Sequence, residues 1–220
     1  DFSPAPFKVT TDLNGQGFTA GDTVAVTTSA KLHAGGPYSS AANRVTAALA
    51  IRPFTPDNPK ITGFQFDSAE RTEGRKPDSE TLFENQGNLD ENGLQSQSFT
   101  IIDSPIWYGQ LTVESSVQDD RGKSIASRAA VPCFGRDRYV GVLQDDWTLQ
   151  EGQKAKVRIA VVDKDGKIVA GVPITVKTEH KKTWGARVKG AGDGYNTEYE
   201  HQWEPEQELT GGSAAEPLDL

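Results

Sequence analysis

Two stretches of the chain carry the same pattern, Phe18-Thr-Ala-Gly-Asp-Thr-Val-Ala-Val26 and Leu149-Gln-Glu-Gly-Gln-Lys-Ala-Lys-Val157. Each has an apolar residue, two spacers and a glycine, and continues as an alternating strand. Each is followed by a turn that contains glycine and proline, at 35–37 and 171–173, and then by another strand. Repetition at a fixed distance indicates repeated structural units. The distance between the two copies is about that of one β-sandwich domain, so the chain is predicted to contain tandem sandwiches.

Strand signals dominate the remaining sequence. Residues 7–11 and 22–28 alternate apolar and polar side chains, and no window shows a sustained helical period of apolar residues. The stretches 119–123 and 163–167 each place aspartate and glycine between two apolar runs, which predicts a hairpin turn. We expect an all-β protein made of tandem antiparallel β-sandwiches, with the second sandwich incomplete.

The domain boundary is predicted near residue 134, which gives a first domain over 1–134 and a second over 135–220. The first domain carries a long polar stretch, around 57–92, that is expected to form a loop or a short edge hairpin. The second domain lacks a counterpart of the long paired strands that close the first. From about residue 185 a Gly-rich and then acidic stretch begins. This domain is expected to be truncated or to carry a flexible segment there.

Composition narrows the function classes. The net charge of −8 argues against nucleic acid as a partner, because its phosphates select Lys and Arg patches. No apolar run approaches the length of a membrane-spanning helix, so direct membrane insertion is not expected. The lone cysteine, Cys133, excludes an internal disulfide. A start at Asp1 without a signal-peptide pattern, and the absence of methionine, favour a processed or excised chain.

Metal, cofactor and catalytic patterns are weak throughout. The three histidines, His33, His180 and His201, show no metal-ligand spacing, although the last two could meet across a hairpin. The Asp163 and Asp119 loops lack the further acidic positions of a calcium loop. No nucleophile elbow, P-loop or dinucleotide-binding glycine pattern is present. We therefore expect no metal, no cofactor and no catalytic residue.

The least ordinary stretch is 181–220. It combines four basic residues (Lys181, Lys182, Arg187, Lys189) with many glycines and an acidic tail. Exposed Gly-rich backbone is where proteases cut, so these residues mark a candidate protease-sensitive segment. The alternative is a sandwich loop left loose because its partner strands are missing. Trp184 and Trp203 flank the glycines and also suggest a carbohydrate platform.

Further phrases extend the repeated pattern along the chain. They are Phe7-Lys-Val-Thr10, Arg138-Tyr-Val-Gly-Val142 and the run 157–173, which continues into the strand ending at Thr178. In this order they resemble the macroglobulin-like domains of bacterial α2-macroglobulins, over most of the chain up to about Trp184. The resemblance implies a tandem of seven-stranded antiparallel sandwiches within a much larger protease inhibitor.

In that family a protease cleaves a flexible bait segment, the molecule rearranges, and the protease becomes confined. The resemblance implies a structural segment of such a trap, with no enzymatic activity. Its partners would be target proteases, through the full-length parent, and neighbouring macroglobulin-like domains. Many members carry a thioester within Cys-x-Glu-Gln, which Cys133-Phe-Gly-Arg136 does not match. Bacterial members work in the periplasm, so a periplasmic location is expected, with any signal or membrane anchor of the parent outside this chain.

Two other functions stay open. One is an adhesin or surface-binding module of immunoglobulin-like repeats, in which Trp184 and Trp203 would be exposed on a shared face. The other is a sandwich attached to a carbohydrate-active enzyme, which predicts sugar binding and a catalytic domain in the parent protein.

Overall fold

The computed structural model describes residues 6–67, 78–145, 153, 156–189 and 195–219. Within these ranges the chain forms fourteen β-strands and one short 3₁₀ helix, Pro59–Ile61. The strands are β1 (Phe7–Leu13), β2 (Phe18–Thr19), β3 (Thr23–Leu32), β4 (Ala42–Ile51), β5 (Gln65–Phe66), β6 (Ser79–Asn88), β7 (Leu94–Thr100), β8 (Tyr108–Gln118), β9 (Ser124–Phe134), β10 (Arg138–Gln144), β11 (Val157–Asp163), β12 (Pro173–Lys189), β13 (Tyr195–Gly212) and β14 (Leu218–Asp219). The predicted all-β class is confirmed. The described residues contain no helix with the length and apolar character needed to span a bilayer.

The N-terminal part is a sandwich of two sheets. A three-stranded sheet has the order β1-β3-β7, and a five-stranded sheet has the order β2-β9-β8-β4-β6. Strands alternate inward and outward as the sequence predicts, so Val24 and Val26 of β3 meet Leu111 and Val113 of β8 in one buried core. Burying each such side chain contributes about 1.5–3 kcal/mol, and this core is the main source of stability here.

Residues 18–26 form β2, a tight turn and the start of β3. The Asp22 carboxylate accepts hydrogen bonds from the Thr19 backbone N–H at 2.7 Å and from the Thr19 hydroxyl at 2.9 Å. These bonds lower the pKa of Asp22. Gly21 takes a φ of +90°, a conformation that favours glycine. The Gly-Asp pair therefore closes the turn, while most of the second copy, 149–157, lies outside the described residues.

Three turns share one construction, Asp-x-x-Gly. In each, one oxygen of the aspartate, Asp90, Asp119 or Asp163, accepts two backbone N–H bonds from residues two and four positions later. The glycine three positions after each aspartate has φ between +71° and +80°. Both predicted turns are thus Asx turns. The predicted hairpin is confirmed at Asp119, which joins the paired strands β8 and β9, whereas at Asp163 the described residues form only the isolated bridge Val162–Ile168 and β11 does not pair with β12. The third, at Asp90, has the same sequence signature and connects β6 to β7, which lie in different sheets.

The C-terminal part contains a four-stranded sheet, β14-β11-β10-β5, and a separate two-stranded sheet, β12-β13. An aromatic cluster joins the first of these to the sandwich: Tyr139 stacks on Phe54 with ring centroids 4.2 Å apart, and Phe54 contacts Phe66 and Tyr108 edge-on. β5 comes from the predicted polar stretch 57–92 yet pairs with β10, whereas β6 of the same stretch pairs with β4. The domain boundary near residue 134 stays a prediction, and the cluster packs across it.

Candidate functional site

The long hairpin β12–β13 is the feature that most sets this chain apart from a plain sandwich. It runs antiparallel from the Pro173–Gly212 pair to the Lys189–Tyr195 pair, with one irregularity between Thr178 and Glu179. At a rise of about 3.3 Å per residue, the seventeen residues of β12 span about 55 Å. Residues 185–189 and 195–212 thus lie in paired strands, where the sequence indicated a flexible segment.

The base of the hairpin is fixed by Ser213, which is buried. Its hydroxyl donates to the Val169 carbonyl at 2.7 Å and accepts from the Val172 N–H at 3.0 Å, and its own carbonyl accepts from the Gly171 N–H at 2.8 Å. Beyond the base, among the described strands, β12 and β13 pair only with each other, so their outer edges present free N–H and C=O groups. The distal hairpin, residues 179–189 and 195–205, is held by its own cross-strand contacts.

The register separates the distal side chains onto two faces. Directly opposed residues of an antiparallel pair lie on the same face, and successive residues alternate between faces. We call one face the basic-aromatic face, and its members are Glu179, Lys181, Thr183, Gly185, Arg187, Thr197, Tyr199, His201, Trp203 and Pro205. We call the other the acidic face, and its members are His180, Lys182, Trp184, Ala186, Val188, Glu198, Glu200, Gln202 and Glu204.

Side-chain contacts agree with this assignment. On the basic-aromatic face, the Lys181 Nζ lies 5.4 Å from the Trp203 ring centroid, and Thr183 Oγ1 lies 3.2 Å from His201 Nδ1. On the acidic face, Lys182 Nζ forms an ion pair with Glu204 Oε2 at 2.7 Å. All of these contacts are solvent-exposed, so each stabilises the hairpin by about 1 kcal/mol or less.

The four residues of the candidate protease-sensitive segment all lie on β12. Lys181 and Arg187 are on the basic-aromatic face, and Lys182 is on the acidic face. Lys189 is the last residue of the strand and pairs with Tyr195. The structure places this segment in an exposed hairpin with free edges. Its role as a protease target stays a prediction, and the glycine-rich stretch 190–194 lies outside the described residues.

The other sequence candidates do not converge. Trp184 and Trp203 are 48% and 55% exposed but lie on opposite faces, so they form no shared platform. His180 and His201 also lie on opposite faces. His33 is an exposed turn residue whose backbone N–H donates to the Pro6 carbonyl at 3.2 Å. Among the described residues no group of three or more His, Cys, Asp or Glu side chains is arranged to hold a metal ion.

Cys133 is a core residue of β9. Its side chain is buried in the sandwich core. Burial, with a smaller contribution from Asp22, raises the pKa of the thiol to about 11. Because the thiolate is the reactive form, the thiol is inert near neutral pH. This agrees with an ordinary unpaired cysteine.

Tyr199 is the functional candidate that sequence reasoning missed. Its side chain is 66% exposed, the highest value among the large exposed hydrophobic and aromatic residues described. Its ring lies against Gly185 on the opposing strand, where a Cβ would come within 3.3 Å of it. The signal was present in Glu198-Tyr-Glu-His-Gln-Trp203, where acidic or amide side chains alternate with rings.

No protein-family model matches the chain, and no curated protein matches it. Solved structures do. The native conformation of Escherichia coli α2-macroglobulin, determined by cryo-electron microscopy, aligns with the whole chain at a TM-score of 0.65 and 19% identity. The chain has the fold of a segment of bacterial α2-macroglobulin.

Two further α2-macroglobulin structures give the same result. Salmonella α2-macroglobulin reacted with methylamine aligns with the whole chain at a TM-score of 0.65 and 17% identity. Escherichia coli α2-macroglobulin activated by porcine elastase aligns with the whole chain at a TM-score of 0.63 and 18% identity. The chain spans 14%, 15% and 20% of the lengths of these three chains, in the order given. At these identities the similarity establishes the fold, which confirms the resemblance seen in the sequence.

Proposed function

We propose that this chain is a structural segment of a broad-spectrum bacterial protease inhibitor of the α2-macroglobulin type. The observation that supports the proposal most strongly is the alignment of the entire chain with both a native and an elastase-activated α2-macroglobulin. A protein of that type traps a protease after the protease cuts it. The segment itself performs no chemistry in this mechanism.

The mechanical role follows from where the chain is rigid. The sandwich core is closely packed, and the aromatic cluster around Tyr139 and Phe54 attaches the β10–β11 sheet to it. Packed cores of this kind move as units, while the surfaces between domains re-pack. The segment would keep its internal fold while its contacts with neighbouring macroglobulin-like domains change after cleavage elsewhere in the parent protein.

The proposal extends to partners and location. Target proteases would be met through the full-length parent in the periplasm. The direct partners of this segment would be neighbouring macroglobulin-like domains.

The test uses the full-length parent protein and three proteases of unrelated specificity. Each active protease should produce the same compact product, seen as one shift in native-gel mobility and in small-angle scattering. The same proteases with their active sites chemically blocked serve as the matched control and should produce no shift. Fragmentation without a common shifted product, or a shift with blocked proteases, would contradict the proposal.

The hairpin is a candidate for the segment that proteases cut. Proteases bind substrates as extended strands, and the distal hairpin has two free edges. Cleavage still requires local opening of the pairing, and the weak, exposed contacts there make opening easy. Limited tryptic digestion of the 220-residue chain should cut first after Lys181, Lys182, Arg187 or Lys189.

Exposed lysines of the sandwich provide the comparison. Lys8 and Lys31 lie on β1 and β3, whose pairing is backed by the core, and they should survive at protease levels that cut the hairpin. Cut sites mapped by mass spectrometry decide the question. First cuts after Lys8 or Lys31, or resistance throughout the hairpin, would remove this segment as a protease target. That result would leave the structural role of the chain intact.

A further inference from the structure

The basic-aromatic face carries a row of three rings on one strand. Tyr199, His201 and Trp203 alternate with residues of the acidic face, so they follow one another along the same side of β13. At two residues per step the rings are about 7 Å apart, and the row is about 13 Å long. Tyr199 and Trp203 are 66% and 55% exposed, which is far more than cross-strand packing requires.

The neighbouring strand supplies cations to the same face. Lys181 lies over the Trp203 ring, and Arg187 is exposed on the same face. These two residues are six positions apart, so their backbone positions are separated by about 20 Å. The face therefore combines flat apolar rings with sparse positive charges along one line.

Most of the negative charge lies on the opposite side, and Glu179, next to Lys181 toward the base, is the one glutamate of the basic-aromatic face among the described residues. Glu198 and Glu200 sit between the ring residues in sequence but point to the acidic face, and Glu204 is ion-paired there with Lys182. In a chain with a net charge of −8, the described part of the basic-aromatic face beyond Glu179 carries Lys181 and Arg187 without an acidic side chain and is thus locally positive. Sorting of this kind is what recognition of an anion requires.

We propose that the basic-aromatic face of the β12–β13 hairpin binds a linear, sparsely charged anionic carbohydrate chain. Aromatic faces offer flat apolar surface that matches the C–H faces of sugar rings. Lysine and arginine pair with carboxylate groups, and arginine does so through two parallel hydrogen bonds. A row of rings beside widely spaced cations matches a polymer in which charged and neutral sugars alternate. This inference is independent of the protease-trap proposal.

Other occupants fit the face less well. A lipid surface would be met by aliphatic side chains, but in the distal hairpin Ala186 and Val188 lie on the acidic face. Single-stranded nucleic acid carries a charge at every residue, which two described cations about 20 Å apart do not match. Symmetric pairing with a second copy through this face would bring Lys181 and Arg187 toward like charges.

The binding test uses the full 220-residue chain and a fluorescently labelled hyaluronan oligosaccharide, in which uronate and neutral sugars alternate, read out by fluorescence anisotropy. The matched ligand control is the same oligosaccharide with its carboxylates methyl-esterified. We expect binding to the charged form that weakens with added salt, because exposed ion pairs are screened, and binding at least about tenfold weaker to the esterified form.

The hairpin supplies matched protein controls of the same residue types on its two faces. Trp203→Ala and Lys181→Gln should each weaken binding by about tenfold or more, as expected for residues that contact the ligand directly. Trp184→Ala and Lys182→Gln, on the acidic face, should change it by less than about twofold. Trp203→Phe keeps a ring and should retain more affinity than Trp203→Ala, and circular dichroism confirms that each variant is folded.

Three results would overturn the proposal. One is the absence of measurable binding to the hyaluronan oligosaccharide by the folded protein. A second is equal loss from Trp203→Ala and Trp184→Ala, which would mean that the effect comes from hairpin stability. A third is equal or tighter binding of polyglutamate, an oligodeoxynucleotide or phosphatidylglycerol vesicles, which would identify the face as a site for acidic peptides, nucleic acid or lipid instead.

Discussion

The aromatic cluster between the sandwich and the β10–β11 sheet makes a strong prediction about Tyr139. This side chain is 1% exposed, stacks on Phe54, and donates a hydrogen bond from its hydroxyl to the Trp107 carbonyl at 2.9 Å. The same carbonyl also accepts from the Gly135 N–H at 2.6 Å. Two substitutions therefore separate the contribution of the ring to stability from that of the hydroxyl.

Tyr139→Ala removes a fully buried aromatic ring and should lower the free energy of unfolding by about 3–5 kcal/mol. Tyr139→Phe keeps the ring and removes one neutral hydrogen bond. Because the Trp107 carbonyl keeps its hydrogen bond from the Gly135 N–H, Tyr139→Phe should lower the free energy of unfolding by only about 0.5–1.5 kcal/mol. Tyr199 is two-thirds exposed, so Tyr199→Ala should change the free energy by less than about 0.5 kcal/mol.

The cluster also predicts a pH dependence. Burial raises the pKa of Tyr139 to about 12, from a usual value of 10.0. The protonated phenol is therefore favoured in the folded state, and this contribution is fully present below pH 10. It is lost as the pH rises from 10 through about 12. Tyr139→Phe should be less sensitive to alkaline pH over this window than the unsubstituted chain.

Urea denaturation followed by tryptophan fluorescence measures these quantities for the four proteins under identical conditions. We expect nearly equal midpoints for the unsubstituted chain and Tyr199→Ala, a slightly lower midpoint for Tyr139→Phe and a much lower one for Tyr139→Ala. If Tyr139→Ala is no less stable than Tyr199→Ala, the cluster does not join the two parts and this account of the fold is wrong.

Three further substitutions or treatments test local features. A disulfide exchange reagent at pH 8 should leave Cys133 unreacted in the folded chain and modify it in urea, since burial raises the pKa of the thiol to about 11; rapid reaction without urea would contradict this. Asp163→Ala removes the acceptor of two backbone N–H bonds and should lower the free energy of unfolding by about 1–2 kcal/mol. Asp165→Ala removes an exposed carboxylate that contacts Lys164 and should change this free energy little. Similar effects of the two substitutions would refute the role of the turn. The Cβ added by Gly109→Ala would overlap the Ala50 carbonyl oxygen and should lower the free energy of unfolding by about 1–3 kcal/mol. The Cβ added by Gly211→Ala meets nothing within 4 Å, so this substitution should be nearly neutral. Equal effects would show that the close approach at Gly109 is unimportant.

Much of the fold could be predicted from the sequence because one face of most strands is buried. Burial produces the apolar-polar alternation seen in β3 and β8, and the Asp-x-x-Gly turns at Asp119 and Asp163 have a local chemical cause. The pairing of β5 with β10 could not be predicted. It involves two residues whose partners lie far along the chain, and no local pattern encodes such a contact.

The hairpin was harder to predict for a different reason. Both faces of β12 and β13 are exposed in their distal half, so the sequence there lacks the contrast between apolar and polar positions. The alternation that does exist, of glutamates with Tyr199 and Trp203, separates charge from rings. This alternation indicates a strand whose two faces differ in charge and not in burial. The basic residues were found, but their division between two faces required the register.

We propose above that this chain is part of a protein that confines proteases. Size-selective inhibition tests that claim most directly. The full-length parent is mixed with an excess of an active protease, with no other inhibitor present, and free protease is then removed. The proteolytic activity of the complex is measured on a small peptide and on a large protein. The account predicts that the small peptide is still cleaved at close to the uninhibited rate while the large protein is protected. Equal inhibition toward both substrates, or inhibition of neither, would contradict it.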